Sequence, residues 1–336
     1  MNLPEIASRF ALPSHLSTHE EIPTGLINAT HLLTCAGGER FILQAINPFV
    51  FKQPGQVMEN IRLVTSHLSG KQGDPGTQLS LIPTKDGRDW LTTSDGALWR
   101  CYPFLENTES YMKINSPELA FRAAAAFGKF QADLVDLDAS RLHETIPAFH
   151  HTPTYLAKLI KVAKEDPANR LTAARAELDK ILANESLAHR LTDADLPLRV
   201  THNDTKISNI LFPINPGLAP VVIDLDTVMP GLALFDFGDL VRSAAASADE
   251  DESDSDKIFL DPALNEALTA GYLSTASSFL TDKEKELLPD SVKVITLELA
   301  CRFLADYLAG DIYFKTTYPD HNLIRARNQL ALFESM

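Results

Sequence analysis

Cysteine and long apolar runs are scarce in this sequence. Its three cysteines, Cys35, Cys101 and Cys301, lie far apart and match no metal-ligand spacing, which favours reduced thiols over disulfides or a structural zinc site. No stretch approaches the roughly 20 apolar residues that a membrane-spanning helix needs, and the N-terminus lacks the pattern of a signal peptide. We therefore expect a cytoplasmic protein without a membrane partner.

Basic residues are also few. The 336 residues include 30 Lys and Arg against 45 Asp and Glu, which gives a formal net charge of −15. Binding along nucleic acid requires many Lys and Arg to neutralise phosphates, so we expect no nucleic-acid partner. A mononucleotide can still bind to an acidic protein, because a metal ion and a few well-placed cations suffice to neutralise its phosphates.

The first hundred residues have the pattern of an antiparallel sheet with one helix. Short β-prone runs alternate with turn signals, and Gly37-Gly38 is predicted to form a hairpin turn because glycine tolerates positive φ. Apolar residues at helical spacing predict a helix over 54–70, with Gly70 at its end. We expect this lobe to comprise residues 1–104.

From Ser116 onward the chain is mostly helical. Ser116 is predicted to cap a helix that has proline at its first position. A second long helix is predicted over 291–310, where Gly310 is the expected C-cap. The acidic run at 249–256 is interpreted as a solvated loop, since like charges repel. The whole pattern predicts an α+β fold with a helical lobe at 105–336.

The stretch HNDTKISNILF begins at His202 and carries the spacing of a kinase catalytic loop. Asp204 stands two residues after His202 and five before Asn209, and the apolar run APVVI then ends at Asp224. Phosphoryl transfer needs one carboxylate beside the acceptor hydroxyl, and an Asn and a second Asp that hold Mg²⁺ against the phosphates. We therefore predict Asp204 as the catalytic base, with Asn209 and Asp224 as ligands of Mg²⁺.

A second triplet, Asp236-Phe237-Gly238, spells the metal-binding motif of protein kinases. It begins 32 residues beyond Asp204, whereas Asp224 lies 20 residues beyond and follows an apolar strand. We therefore assign the metal to Asp224. Asp236 and Asp239 are expected to cap a helix and to hold the loop.

Several long stretches resemble a known family. The stretch THNDTKISNILF…VVIDLDTVMPGLALFDFGDLVR resembles the aminoglycoside-phosphotransferase-like kinases, and more narrowly the bacterial N-acetylhexosamine 1-kinases. Three further stretches support the narrower match: FILQAINPFVFKQPGQVMENI, LWRCYPFLENTES and CRFLADYLAGDIYFK. The resemblance implies a protein-kinase-like two-lobe fold and ATP with Mg²⁺ as cofactors. It also implies phosphorylation of the C1 hydroxyl of GlcNAc or GalNAc.

The same resemblance implies residues that contact the ligands. The nucleotide contacts that it implies are Gly25 and Asn28 near the phosphates, Gln44 and Glu59 in place of an ion pair, and the backbone of Tyr102, Pro103 and Phe104 at adenine. The sugar contacts that it implies are Asp204, Arg302 and Tyr313. Two simpler interpretations remain open for the last two residues: Arg302 as the i,i+4 partner of Asp306 on a helix face, and Tyr313 as a core residue.

Gln44 is a departure from the protein-kinase pattern. Protein kinases carry a lysine at this place on the third strand, paired to a glutamate on the following helix. In this sequence either another cation, such as Lys52, must take the place of the lysine, or Mg²⁺ must neutralise a larger share of the phosphate charge. The missing lysine also supports an alternative, a nucleotide-binding pseudokinase. Another alternative is a kinase for a different small hydroxyl compound, such as an aminoglycoside, choline or homoserine. The sequence does not indicate an oligomeric state.

Overall fold

The computed structural model describes residues 1–23, 27–71 and 79–336. Its strands are β1 (Leu16–Glu21), β2 (Ala29–Cys35), β3 (Arg40–Ala45), β4 (Leu91–Thr92), β5 (Leu98–Pro103), β6 (Thr108–Glu109), β7 (Arg199–Thr201), β8 (Ile210–Pro213), β9 (Val221–Val222) and β10 (Met229–Gly231). Its α-helices are α1 (Leu3–Ala7), α2 (Pro54–Ser69), α3 (Pro117–Asp133), α4 (Thr152–Glu165), α5 (Arg175–Ala183), α6 (Glu185–Ala188), α7 (Ala233–Ala244), α8 (Pro262–Ala276), α9 (Asp282–Ala309) and α10 (His321–Glu334).

The chain divides into two compact units. The first comprises Met1–Ser110, Asp133–Pro147 and Asn209–Pro230, and the second comprises Tyr111–Ala132, Ala148–Ser208 and Gly231–Met336. The chain therefore passes from one unit to the other several times. A lobe boundary after residue 104 stays a prediction.

The first unit contains an antiparallel sheet in the order β1-β2-β3-β5-β4. The predicted hairpin at Gly37-Gly38 joins β2 to β3, and Gly38 has φ +93°, a conformation that favours glycine. The helix predicted over 54–70 is α2, whose C-cap is Gly70. The prediction of a sheet with one long helix in this region is confirmed, although β4 has only two residues.

The two faces of this sheet differ because side chains alternate along a strand. One face packs Leu33, Phe41, Leu43 and Cys101 against Ile6, Ala7 and Phe10, which lie in or just after α1. The other face carries polar residues at paired positions, with Thr30 opposite Gln44 and Gln44 opposite Arg100. The sheet therefore has one apolar core face and one face suited to a polar site.

A smaller antiparallel sheet in the order β6-β8-β9 completes the first unit. Strands β8 and β9 pair Ile210 with Val222 and Leu211 with Val221. Their side chains are largely buried, as the apolar runs ILF and VVI predicted. This hairpin carries the segment from Asn209 to Asp224.

The second unit is mainly helical. Helices α4, α5, α9 and α10 share one apolar core, which contains Leu159, Ile181, Leu304 and Leu330. The predicted helix that follows Ser116 is α3, and the Ser116 hydroxyl accepts the Leu119 N–H at 3.2 Å. The second unit therefore supplies the long helices that the sequence predicted.

Helix α9 is longer than predicted. It begins at Asp282 rather than at residue 291, after a capping box in which Thr281 and Glu284 exchange side-chain-to-backbone hydrogen bonds. The helix continues through Pro289 and ends at Gly310, which has φ +98° and is the predicted C-cap.

Three further expectations concern the surface and the thiols. Residues 249–256 form an exposed loop with a short 3-10 turn at Ser255–Lys257, as predicted. Cys35, Cys101 and Cys301 are unbonded and buried. Within residues 1–23, 27–71 and 79–336, no helix is long and apolar enough to cross a membrane.

Candidate active site

The predicted catalytic loop follows strand β7 in the second unit. His202 is fully buried, and its ring packs edge-on against Phe127 and Phe130 at centroid distances of 5.5 and 5.8 Å. Asn203 has φ +64°, which Asn tolerates better than most residues. Asp204, the next residue in the loop, is half-buried.

Asp204 has a basic neighbour that the sequence interpretation did not single out. The ammonium of Lys206 lies 2.8 Å from the Asp204 carboxylate, and it is this carboxylate above all that raises the pKa of Lys206. The Lys206 side chain is 48% exposed, so the ammonium can still reach a bound anion. The signal for Lys206 was present in the motif, since it stands two residues after the predicted base.

The buried side chain of Asp236 fixes the backbone of the predicted catalytic loop. Its carboxylate is buried and accepts the backbone N–H of His202 at 2.9 Å, the N–H of Asn203 at 2.7 Å and the Gln131 amide at 2.6 Å. Burial raises the pKa of Asp236, although these donors oppose the shift. The predicted role of Asp236 in holding the loop is therefore seen directly.

Asp239 is the second carboxylate that contacts the backbone of this loop. It accepts the N–H of Thr205 at 3.1 Å and pairs with Arg242 at 2.8 Å. Burial alone would raise the pKa of Asp239, but Arg242, His150 and Lys206 hold it below its usual value. The prediction that Asp236 and Asp239 cap a helix is wrong, because both lie inside α7, whose N-cap is Leu232.

The glycine of the kinase-like triplet has a packing role. A Cβ added to Gly238 would lie 2.6 Å from the backbone oxygen of Ser291, so only glycine lets α7 approach α9 this closely. Phe237 of the same triplet is fully buried. In this chain the triplet is therefore part of a helix core.

A buried histidine ties the loop to helix α9. The Nε2 of His150 lies 2.9 Å from the Asn203 carbonyl, and its Nδ1 lies 3.1 Å from the Glu298 carboxylate. Thr152 also donates to Glu298, at 3.0 Å. Both partners of the ring carry oxygens that can accept a hydrogen bond from an imidazole N–H. Burial alone would lower the pKa of His150, but Glu298 and Asp239 raise it.

Asn209 and Asp224, the predicted metal ligands, are neighbours in the first unit. The Ile223 N–H donates to the Asn209 carbonyl at 2.9 Å, which continues the β8–β9 ladder by one pair. Asp224 follows directly, is exposed, and has φ +59°, so the chain turns away at this residue. The hairpin therefore brings these two oxygen-bearing residues together, although 15 positions separate them in the sequence.

Asp226, two residues later, is committed to other contacts. One carboxylate oxygen accepts the amide of Asn28 at 2.6 Å, and the other pairs with the guanidinium of Arg100. Asp226 is only 4% exposed, whereas Asp224 is exposed. Mg²⁺ prefers oxygen ligands and usually keeps several waters, so the exposed carboxylate of Asp224 and the amide of Asn209 fit such an ion better than Asp226 does.

The described residues do not form a metal site built wholly from protein side chains. In the described parts of the chain, no group of three His, Cys, Asp or Glu could enclose an ion. Two protein ligands that share the ion with phosphate oxygens are the usual arrangement for Mg²⁺ in kinases. The donor set at the β8–β9 hairpin fits that arrangement.

Arg100 is a functional candidate that the sequence interpretation missed. It is 1% exposed and lies opposite Gln44 in the register of β3 and β5. Its Nε and Nη2 both donate to the Gln44 side-chain oxygen, at 3.0 and 2.9 Å. Strand β3 therefore carries Gln44 where protein kinases carry a lysine, and the adjacent strand β5 supplies a cation, Arg100, opposite this position. Lys52 is exposed, and its ammonium faces the ring of Phe49 at 5.9 Å.

The other residues predicted to contact the nucleotide have the following contacts in the structure. Glu59, on α2, contacts His143 at 2.6 Å and does not pair with Gln44. The Phe104 N–H donates to the Arg40 carbonyl at 3.0 Å, and Pro103 pairs with Phe41. The Tyr102 hydroxyl is buried and has no hydrogen-bond partner among the described residues. Gly25 lies outside the described residues. A contact of any of these residues with nucleotide stays a prediction.

Arg302, a predicted sugar contact, lies in an aromatic environment on α9. Its guanidinium carbon is 5.6, 5.1 and 5.7 Å from the ring centroids of Phe149, Tyr155 and Phe314. Its carboxylate partner is Glu298, at 3.7 Å. The simpler interpretation of Arg302 as the partner of Asp306 is therefore wrong.

Tyr313, the other predicted sugar contact, is 64% exposed, so its interpretation as a core residue is also wrong. The segment that carries it is held by Asp306, whose carboxylate accepts the N–H groups of Ile312, Tyr313 and Phe314 at 2.8–3.0 Å. The Tyr313 ring packs edge-on against Phe314 at 4.9 Å. A buried carboxylate thus fixes the backbone of an exposed aromatic side chain.

Comparison with known families identifies the chain. The sequence profile of the phosphotransferase enzyme family (APH) matches residues 18–286, which is most of the sequence. The chain belongs to this family. The matched range contains the catalytic loop, both predicted metal ligands and Asp236.

Several solved structures share the fold of this chain. The phosphotransferase is similar to a microcompartment-associated aminopropanol kinase, with 18% identity and a TM-score of 0.67 over 98% of this chain and 93% of that one. It is also similar to a spectinomycin phosphotransferase in complex with ADP and spectinomycin, with 10% identity and a TM-score of 0.66 over 99% and 98%. A third similar structure is an amicoumacin kinase in complex with AMP-PNP, Ca²⁺ and amicoumacin, with 12% identity and a TM-score of 0.63 over 99% and 92%. The predicted protein-kinase-like α+β fold is confirmed.

Proposed function

We propose that this phosphotransferase transfers the γ-phosphoryl group of ATP to the C1 hydroxyl of an N-acetylhexosamine. The observation that carries the proposal is the Asp204–Lys206 pair on a loop held by a buried carboxylate. A positioned carboxylate and a neighbouring cation are the protein groups that phosphoryl transfer to a hydroxyl requires. Family membership supports the reaction class. The resemblance of several stretches to N-acetylhexosamine 1-kinases supports the acceptor.

In this proposal the residues divide the reaction between them. Asp204 accepts the proton of the sugar hydroxyl, and Lys206 holds Asp204 and faces the transferred phosphoryl group. Asn209 and Asp224 would hold Mg²⁺, which would supply positive charge to neutralise the phosphates. Asp236, Asp239 and His150 fix the loop. A base held to this degree needs little reorganisation during the reaction.

The acceptor site in this proposal uses Arg302 and Tyr313. A guanidinium enclosed by aromatic rings keeps a fixed orientation, and its donors suit the hydroxyl and acetamido oxygens of a sugar. An exposed tyrosine ring offers an apolar surface to the sugar ring. This arrangement carries one buried cation, and it therefore suits a neutral sugar better than a polycationic aminoglycoside.

A panel of acceptors tests the proposal. Purified protein is incubated with ATP, Mg²⁺ and GlcNAc, GalNAc, an aminoglycoside, choline or homoserine, and ATP consumption is measured. We expect turnover with an N-acetylhexosamine, and ³¹P NMR should show a phosphate coupled to the anomeric proton. Asp204→Asn serves as the inactive variant, and Asp256→Asn, a change in the exposed acidic loop, serves as the matched control.

Other outcomes assign the protein differently. Turnover with choline, homoserine or an aminoglycoside alone would overturn the acceptor and keep the kinase. Coupling of phosphorus to a proton other than the anomeric one would overturn the position. No turnover of any acceptor by a protein that binds Mg·ATP would favour the pseudokinase alternative.

A further inference from the structure

The polar face of the first sheet contains a buried cation that no motif accounts for. Arg100 donates two N–H groups to the Gln44 oxygen, and a third to the carboxylate of Asp226. The guanidinium is 1% exposed, so it is already desolvated before any ligand binds. Burial of the Arg100 guanidinium is therefore compensated by one amide and one carboxylate.

The Arg100–Asp226 pair is a charged unit. Burial alone would lower the pKa of Arg100, but Asp226, Tyr102 and, to a smaller extent, Asp224 raise it above its usual value. Arginine stays charged in proteins in any case, so Asp226 faces a permanent positive charge. Tyr102, whose ring lies 5.3 Å from the guanidinium carbon, contributes one more wall of this enclosure.

Asp226 lies two residues after the predicted metal ligand Asp224 and contacts Arg100. Asp226 lies in the 3-10 turn Leu225–Thr227, which follows Asp224 directly. Both of its oxygens are engaged, one by Arg100 and one by Asn28, so the turn is fixed to β5 and to the segment before β2. Asp224, which has φ +59°, directly precedes this turn in the chain.

We propose that Arg100 is a positioning residue that replaces the strand lysine of protein kinases. It holds Asp226, and through the turn it orients Asp224 toward the metal, without itself contacting phosphate. Gln44, at the usual lysine position, orients the guanidinium. This inference rests on the assignment of Asp224 to the metal in the proposed function, and it does not depend on the identity of the acceptor.

Metal binding and nucleotide binding can be measured separately to test the inference. Binding of Mn²⁺ to the ADP complex is followed by electron paramagnetic resonance, and binding of ADP alone by calorimetry in EDTA. The variants are Arg100→Met, Asp226→Asn and the double variant. Arg40→Met is the matched control, since Arg40 is a neighbouring cation on β3 that pairs with the exposed Glu106.

We expect both single variants to bind Mn²⁺ about ten- to a hundred-fold more weakly, the factor typical of one lost charged hydrogen bond. The double variant should be no weaker than either single variant, because the two residues act as one unit. Binding of ADP without metal should change by less than about twofold, because Arg100 acts through the metal ligand. Arg40→Met should resemble the wild type in both assays.

Two results would overturn the proposal. A loss of metal-free ADP binding as large as the loss of Mn²⁺ binding would show that Arg100 contacts phosphate. Wild-type Mn²⁺ affinity in a folded single or double variant would show that the pair does not orient Asp224. If the single variants fail to fold, the double variant, which carries neither charge, decides alone. Unchanged Mn²⁺ binding in Asp224→Asn would instead contradict the metal assignment of the proposed function.

Discussion

The same substitution at two aspartates should distinguish a residue that stabilises the fold from a residue that takes part in the reaction. Asp224→Asn and Asp236→Asn each replace one carboxylate oxygen by an amide nitrogen. Asp224 is exposed and has a left-handed conformation that Asn also tolerates. Asp236 is 1% exposed and accepts three hydrogen bonds. We expect the first change to affect turnover and the second to affect stability.

The size of the effect at Asp236 follows from its contacts. One oxygen accepts from the His202 N–H and from Gln131, and the other accepts from the Asn203 N–H. The amide nitrogen of Asn must face at least one of these donors, which leaves a buried N–H unsatisfied at a cost of about 1–3 kcal/mol. The other bonds lose their charge assistance. Relief from burying a carboxylate offsets part of the loss, so we expect a net destabilisation of about 3 kcal/mol.

Thermal unfolding and kinetics together measure this difference. For Asp236→Asn we expect a Tm lowered by roughly 5 °C or more, by the usual proportion between free energy and Tm for large domains. For Asp224→Asn we expect stability within about 0.5 kcal/mol of the wild type, as for most exposed positions, with turnover and Mn²⁺ binding lost. An unchanged Tm and no turnover in Asp236→Asn, with an active Asp224→Asn, would refute the reasoning and return the metal to the kinase-like triplet.

Three further predictions concern the catalytic loop and the acceptor site. Asp204→Asn should lower turnover by about 10²–10⁴-fold with Mg·ATP binding retained in calorimetry, and near-normal turnover would exclude Asp204 as the base. The raised pKa of His150 implies stability that is fully present below the usual value near 6.5 and is lost as pH rises through the higher folded value. The difference in Tm between wild type and His150→Gln should therefore shrink as pH rises above about 6.5, and a constant difference would contradict the raised pKa of His150. Arg302→Lys keeps the charge but loses the planar fork, so the KM for the acceptor should rise about tenfold while the KM for ATP stays the same, and unchanged acceptor kinetics would place the sugar elsewhere.

The sequence determined the chemistry that is local along the chain. The spacing of His202, Asp204 and Asn209 predicted one loop, and the structure places them on one loop. Turn chemistry at Gly37-Gly38 and the C-cap at Gly310 were also predicted correctly, because glycine tolerates the positive φ that those turns need. A short-range pattern is sufficient wherever the interacting atoms belong to neighbouring residues.

Helix α9 shows where local signals conflict. Thr281 and Glu284 form a capping box that the sequence contained, whereas Pro289 inside the helix lacks an N–H for the backbone hydrogen-bond pattern. Packing of α9 against α4, α7 and α10 in the second unit outweighs the cost of one proline. Such packing is a sum over residues distant in sequence, so no local pattern predicts it.

Only the tertiary structure decided which charges meet. Arg100 and Asp226 are separated by 126 positions, and nothing in the local sequence of either residue indicates the other. The same holds for Asp236 and the loop N–H groups that it accepts, and for His150 between Asn203 and Glu298. A buried charge is stable only beside a partner, and the fold selects that partner by bringing distant strands and helices together. The sequence therefore predicted groups for phosphoryl transfer, and the fold determined which side chains contact them.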